Sequence, residues 1–130
     1  MPTPKFLSLD EVLELHADQI SSFGGSPGVR DEGLLESALA QPQATFGGQF
    51  LHPTISEQAA AYLYHIAMNH PFIDGNKRTA FAVMDTFLRL NGCALNLTDD
   101  RAYDLVMRVA RGTMTKEELS TEFESCIVEF

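Results

Sequence analysis

The residues best suited to chemistry lie together near the middle of the chain, in the stretch His70–Thr79, with the sequence HPFIDGNKRT. An imidazole can take a proton from an attacking hydroxyl near neutral pH. A carboxylate is a hard oxygen ligand that suits Mg²⁺. Lysine and arginine hold phosphate oxygens, the lysine as a point charge and the arginine as a planar fork. Together, these residue types suit phosphoryl or nucleotidyl transfer.

Two predicted helices flank this stretch and would shape it into an anion site. The helix before it should end near His70, because Pro71 disfavours helical geometry at the residue that precedes it. The helix after it should begin with Asp74 at the cap position, which leaves the amides of residues 75–78 unpaired. Such amides, at the positive end of a helix dipole, bind anions. We therefore interpret the stretch as a base, a magnesium ligand and a phosphate site, formed by His70, Asp74, and Gly75, Asn76, Lys77 and Arg78 respectively.

Each of these residues also has an ordinary structural interpretation. Asp74 could be only a helix cap, His70 only a helix-terminal histidine, and the two cations only a solvated turn. The residues alone leave both interpretations open. Two other motifs do not fit. The residue before the lysine is asparagine rather than the glycine of a P-loop, and His65 and His70 lack the spacing of a zinc-binding HExxH helix.

Length and composition predict a single domain over residues 1–130. The net charge of −9 argues against a general nucleic-acid binder, which needs a basic surface. No apolar run approaches the roughly 18 residues of a membrane span, and the N-terminus lacks a signal-like apolar region. We therefore expect a soluble, cytoplasmic protein with no direct nucleic-acid or membrane partner. Cys93 and Cys126 form no CxxC pair and are expected to be free thiols.

Capping signals and apolar periodicity predict a compact all-α domain of about six helices with one small β-hairpin. The helix after the central stretch is apolar on most of its circumference, which is typical of a buried central helix. The last helix is expected to carry Leu119, Phe123, Ile127 and Val128.

The segment 43–53 departs from the helical pattern. It is too short for a helix, and its two glycines between aromatic residues are typical of a hairpin turn. Its notable residues are Phe46, Gly47, Gly48 and Phe50. An ordinary connecting loop and an exposed edge that pairs with an extended partner segment both remain open.

Two polar residues elsewhere are expected to have ordinary roles. His16 lies in the first predicted helix, where a surface or packing histidine is the favoured interpretation. Arg30 precedes the second helix and could reach an anion, but an arginine at the end of a loop is usually solvated.

Residues 70–78, HPFIDGNKR, resemble the signature of the Fic/Doc family, HxFx[D/E][A/G]N[G/K]R, at every position. Other segments resemble the death-on-curing branch of that family, namely FGGSPGVRD at 23–31, GLLESA at 33–38, FGG at 46–48 and FLRLNG at 87–92. The resemblance covers about residues 8–112.

This resemblance implies an all-α fold, with the motif loop between two central helices and a β-hairpin flap over the active site. In adenylyl-transferring members the histidine activates a target hydroxyl, the acidic residue holds magnesium, and the asparagine and loop amides bind phosphate. The matching residues are His70, Asp74, Gly75 and Asn76, with Lys77 and Arg78 on phosphate oxygens. Phe46, Gly47, Gly48 and Phe50 would belong to the flap, which aligns the target segment by strand pairing.

Two positions depart from the longer adenylyltransferase motif GNGRxxR. Lys77 replaces its second glycine, and Phe81 replaces its final arginine. Doc-type toxins share the lysine, and in them ATP binds in the reverse sense, so that its γ-phosphoryl group meets the histidine.

The resemblance therefore implies a Doc-like toxin that uses ATP and Mg²⁺ to phosphorylate a threonine of elongation factor Tu, which stops translation and growth. AMP transfer by the same loop is one alternative, and a catalytically weak protein-binding module is another. The inhibitory S/TxxxE[G/N] motif of some relatives is not found, which implies an antitoxin that binds in trans.

Overall fold

Side-chain caps begin five of the six helices in the computed structural model, which describes residues 3–130. The helices are α1 (Leu9–Phe23), α2 (Glu32–Ala40), α3 (Ile55–Asn69), α4 (Asn76–Leu90), α5 (Asp99–Ala110) and α6 (Lys116–Cys126). The capping residues are Ser8, Asp31, Thr54, Thr98 and Thr115, each of which accepts a hydrogen bond from an otherwise unpaired first-turn amide. The predicted all-α fold of about six helices is confirmed.

Helix α3 lies at the centre of the fold and packs against α2, α4, α5 and α6. Its alanines Ala59, Ala60 and Ala61 are fully buried, and their small side chains let neighbouring helices approach. Helix α4 packs along α3 but is less enclosed than its apolar sequence suggests. Phe81 and Ala82 are only half-buried, because that side of α4 lines a surface groove.

The predicted hairpin is present as β1 (Thr45–Phe46) and β2 (Gln49–Phe50). Gly47 and Gly48 form its turn with φ angles of 59° and 80°, a region that glycine enters without steric cost. Phe50 packs edge-on against Phe6, with ring centroids 5.7 Å apart. Phe46 is 81% exposed at the tip of the hairpin.

A second two-stranded sheet corrects the expectation of a single hairpin. Helix α6 ends at Cys126, and Ile127 and Val128 belong to β4 (Ile127–Glu129) rather than to the last helix. Strand β4 pairs antiparallel with β3 (Cys93–Leu95). The apolar spacing of Phe123 and Ile127 fits a helix, but β-branched side chains favour an extended backbone when a partner strand is available.

Two smaller expectations concern the cysteines and the membrane. Cys93 and Cys126 are free, buried thiols, as expected. Across residues 3–130, no helix has both the length and the apolar character needed to cross a membrane.

A half-buried histidine joins α3 to the start of α6. The ammonium Nζ of Lys116 lies 3.1 Å from Nε2 of His65. Because an ammonium group can only donate, Nε2 must be the unprotonated acceptor. Burial, which is the largest cause, and the charges of Lys116 and His52 together lower the pKa of His65 to about 4.

We predict that this contact makes the fold sensitive to acid. The unfolded imidazole gains a proton near pH 6.5 and the folded one only near pH 4, so this contribution to stability is full above pH 6.5, is lost as the pH falls from 6.5 to about 4, and changes no further below that. Because His65 is partly exposed and solvent weakens the effect, we expect the free energy of unfolding to fall by about 1–2 kcal/mol. Urea unfolding between pH 7 and 4 should show it, and His65→Gln, which keeps an acceptor for Lys116, should reduce it. An unchanged slope in that variant would contradict the assignment, and Lys116→Gln should give an intermediate slope.

Candidate active site

The loop between α3 and α4 begins at a residue with an unusual backbone. His70 closes α3 with φ 48° and ψ 54°, and it is the one non-glycine residue with a positive φ within residues 3–130. Its amide donates to the Ile66 carbonyl at 3.3 Å, and its side chain is exposed. A side chain in this left-handed region costs about 1–2 kcal/mol, so the surrounding contacts must hold the residue there.

Arg30 supplies those contacts. Its Nε donates to the His70 carbonyl at 2.7 Å, and its Nη2 donates to the Asn69 carbonyl at 2.8 Å. Its own amide donates to the Pro71 carbonyl at 2.7 Å. A cation on the last carbonyls of a helix also complements the helix dipole. The expectation that Arg30 is merely solvated is therefore wrong, and Arg30 fixes the backbone that carries His70.

Residues 24–31, which we call the connecting segment, run alongside the loop and pair with it. Val29 forms an antiparallel bridge with Phe72, and the Ile73 amide donates to the Gly28 carbonyl at 3.0 Å. At the far end, Arg78 donates from Nη2 to the Gly24 carbonyl at 2.9 Å. The loop is thus held along its whole length by a segment about 45 residues earlier in the sequence.

Asp74 precedes the cap of α4 rather than forming it. The cap is Gly75, at φ 73°, with no side-chain hydrogen bond, which corrects the expected cap position. The carboxylate of Asp74 accepts from the Ser26 amide at 3.1 Å and from the Gly75 amide at 2.8 Å. These two bonds, Ser26 first, lower the pKa of Asp74, and the charges of Arg78 and His16 act in the same direction. The exposed carboxylate is therefore ionised at neutral pH.

The first turn of α4 leaves three amides available to a ligand. Thr79 is the first residue whose amide bonds back along the helix, to Gly75 at 2.9 Å. No acceptor in the described part of the chain reaches the amides of Asn76, Lys77 and Arg78. The Gly75 amide, expected to be free as well, is occupied by Asp74. Three unpaired amides and two cations at a helix N-terminus are suited to bind phosphate, and we call this arrangement the phosphate site as a candidate.

The side chain of Asn76 is engaged within the loop itself. Its Oδ1 accepts from the Phe72 amide at 2.9 Å, and its Nδ2 donates to the Phe72 carbonyl at 3.0 Å. Both polar groups of the amide therefore hold the loop backbone. What Asn76 offers to an anion in this arrangement is its main-chain N–H.

A groove of about 620 Å³ opens beside the phosphate site. It lies between the end of α1, the outer side of α4 and the inner side of α5, and Lys77 and Arg78 form one wall. The remaining lining is mostly apolar and includes Phe23, Phe81, Tyr103 and Met107. Its volume is within the range of small-molecule sites.

The hairpin residues Phe46, Gly47, Gly48 and Phe50 make their described ring contact elsewhere than the motif loop. Their ring contact is with Phe6, and Phe6 stacks in turn on Phe87 of α4. For residues 3–130, no hydrogen bond or ring contact joins this hairpin to residues 70–78. A stacked pair of rings, Phe6 on Phe87, links the hairpin to α4.

The donor set around Asp74 suits Mg²⁺ better than a metal held by protein ligands alone. Over residues 3–130 there is no cluster of three or more histidine, cysteine, aspartate or glutamate side chains that could enclose a metal. Magnesium is commonly bound through one or two carboxylates, several waters and the phosphates of a nucleotide. A single exposed, ionised carboxylate beside a phosphate site fits that pattern.

Sequence comparison identifies the family of this helical protein, whose motif loop lies between two central helices. Residues 6–88 match the model of the Fic/DOC family, and the chain belongs to it. The chain is 45% identical over 120 residues to Toxin Doc of Mycolicibacterium smegmatis, covering 91% of this chain and 90% of that protein. It is 34% identical over 111 residues to Protein kinase doc of Escherichia phage P1, covering 85% and 86% respectively.

A pair of glycine substitutions can test whether the two amide hydrogen bonds hold the Asp74 carboxylate in place. A Cβ on Gly25 would lie 2.7 Å from Oδ2 of Asp74, whereas a Cβ on Gly24 meets nothing within 4 Å. Both glycines have positive φ, so either alanine adds backbone strain of about 1 kcal/mol. We predict that Gly25→Ala displaces the carboxylate and raises the Asp74 pKa toward its ordinary value, measured by NMR titration. Gly24→Ala should leave the Asp74 pKa unchanged. Equal effects of the two substitutions on this pKa would show that the hydrogen bonds to the carboxylate do not lower it.

Proposed function

We propose that this protein is a Doc-like toxin that transfers the γ-phosphoryl group of ATP to a serine or threonine hydroxyl of another protein. The observation that carries the proposal is the start of α4, where three unpaired amides, Lys77 and Arg78 lie beside the Asp74 carboxylate. His70 stands at the other end of the same loop. The names of the two relatives, a toxin and a protein kinase, support the same class.

In the proposed reaction His70 acts as the general base. Its imidazole takes the proton of the target hydroxyl, the hydroxyl oxygen bonds to the γ-phosphorus, and the bond to the β-phosphate oxygen breaks to release ADP. The free amides of α4, with Lys77 and Arg78, bind the phosphate oxygens. Mg²⁺, when held by Asp74, neutralises phosphate charge. Most of the rate would come from positioning and charge stabilisation.

The surroundings of Phe81 favour γ-phosphoryl transfer over AMP transfer. The longer motif has an arginine at this position, which would hold the outer phosphates of ATP away from the histidine. Here Phe81 is part of the apolar groove, and Lys77 replaces the glycine that would leave room for phosphate. We place the adenosine in the groove and the triphosphate across the start of α4, with its γ-phosphoryl group toward His70.

The target and the inhibitor are proposed from the same resemblance. The exposed hairpin, with Phe46 at its tip, would align an extended target segment by strand pairing. The proposed target is a translation factor, elongation factor Tu, and the proposed inhibitor is an antitoxin protein that binds in trans. The reaction would then take place in the cytoplasm and arrest growth.

The test is to incubate the protein with the candidate factor, Mg²⁺ and ATP labelled at either the γ- or the α-phosphate. We predict that only the γ-label is transferred, and that His70→Ala lowers the rate by roughly 10²–10⁴-fold, as expected for loss of a general base. Transfer of the α-label would overturn the proposal in favour of AMP transfer. No transfer of either label, with His70→Ala still toxic in cells, would favour a binding module.

Two variants of the motif test which phosphate of ATP is directed toward His70. Lys77→Gly should lose γ-transfer while its unfolding midpoint stays close to that of the wild type, because Lys77 is exposed. Lys77→Gly with Phe81→Arg recreates the GNGRxxR pattern and should shift any residual transfer to the α-label. Unchanged γ-transfer in both variants would show that neither Lys77 nor Phe81 sets the orientation of ATP.

A further inference from the structure

His16 is a buried polar residue to which the proposed reaction assigns no role. It lies on α1 with 4% of its surface exposed. Its ring stacks on Phe72, with centroids 3.8 Å apart and planes inclined by 6°. Its Nε2 lies 2.9 Å from the main-chain carbonyl oxygen of Asp74. Because a carbonyl can only accept, Nε2 carries the proton of this hydrogen bond.

This bond fixes the direction of one peptide unit in the motif loop. A trans peptide is planar, so its C=O and N–H groups point in opposite directions. The carbonyl of Asp74 points inward to the buried His16, and the amide of Gly75 therefore points outward, where it donates to the exposed Asp74 carboxylate at 2.8 Å. The same unit thus connects the buried histidine to the proposed magnesium ligand.

The peptide between Asp74 and Gly75 would be easy to reverse without such a bond. Reversal changes ψ of Asp74 and φ of Gly75, and Gly75, now at φ 73°, accepts a large change of φ with little steric cost. A Cβ at this position would lie 3.9 Å from Nε2 of His16 and 3.1 Å from Ile20, so the α1 side is closely covered. Reversal would turn a carbonyl oxygen toward the unpaired amides of α4, where phosphate is proposed to bind.

We propose that His16 is a positioning residue that holds the Asp74–Gly75 peptide with its C=O turned away from the unpaired amides of α4 and its N–H on the Asp74 carboxylate. It acts through the backbone and touches neither nucleotide nor metal. The effect on ATP rests on the proposed function, whereas the effect on the Gly75 amide does not. The two can therefore fail separately.

The test compares two variants of the intact protein. His16→Phe keeps an aromatic ring on Phe72 but has no donor, whereas His16→Gln places an amide nitrogen where Nε2 stood. In the ligand-free protein, the Gly75 amide proton should lose its hydrogen-bonded NMR shift in His16→Phe and regain it in His16→Gln. The dissociation constant for MgATP should rise roughly five- to tenfold in His16→Phe, as expected for one lost hydrogen bond, and recover in His16→Gln.

A wild-type Gly75 signal in His16→Phe would overturn the proposal, and so would equal loss of that signal in both variants, since the ring packing alone would then be responsible. If His16→Phe does not fold, His16→Gln decides, and loss of its Gly75 signal counts against the proposal. If the wild-type protein binds no MgATP, the proposed function fails, while the Gly75 signal still tests His16.

Discussion

The pairing of the connecting segment 24–31 with the loop between α3 and α4 is the interaction on which the candidate site depends. Helix α3 ends in a left-handed residue, and α4 begins without a side-chain cap. Neither feature is favourable alone, since a left-handed His70 is strained and an uncapped helix leaves its amides unpaired. Main-chain bonds from the segment and the side chain of Arg30 hold this geometry. The left-handed residue and the uncapped helix start reduce stability, but they also leave the amides of α4 free for an anion.

The charges around the loop are divided between holding it and binding a ligand. Arg30 donates from Nε and Nη2 to the carbonyls that end α3. Arg78 donates to Gly24 and lies over the ring of Phe23, 5.8 Å from its centroid, while Lys77 is exposed. On a chain of net charge −9, this local concentration of cations stands against an acidic background, which is the arrangement that the proposed nucleotide site needs.

The helices, the hairpin and the central loop were predictable because their signals are local. Ser8 and Thr115 form complete capping boxes, and Pro71 and Gly75 bound the loop. The second sheet was missed, because Ile127 and Val128 become a strand only through pairing with β3. His16 packs in the core as expected, but its hydrogen bond to Asp74 and those of Arg30 to the end of α3 were missed, because these partners lie 58 and 40 residues away. The glycines of 24–28 were the one sequence signal of that close approach.

The most direct test is amide hydrogen exchange with and without MgATP. It measures whether the loop between α3 and α4 is fixed by the connecting segment and whether the first-turn amides of α4 bind the nucleotide. We predict slow exchange at Ile73 and Arg30, whose amides bond across the pairing. We predict fast exchange at Lys77 and Arg78 in the free protein, and marked slowing at both when MgATP is saturating. Fast exchange at Ile73 and Arg30 would contradict the pairing. Rates at Lys77 and Arg78 that are already slow, or that saturating MgATP leaves unchanged, would contradict the phosphate site.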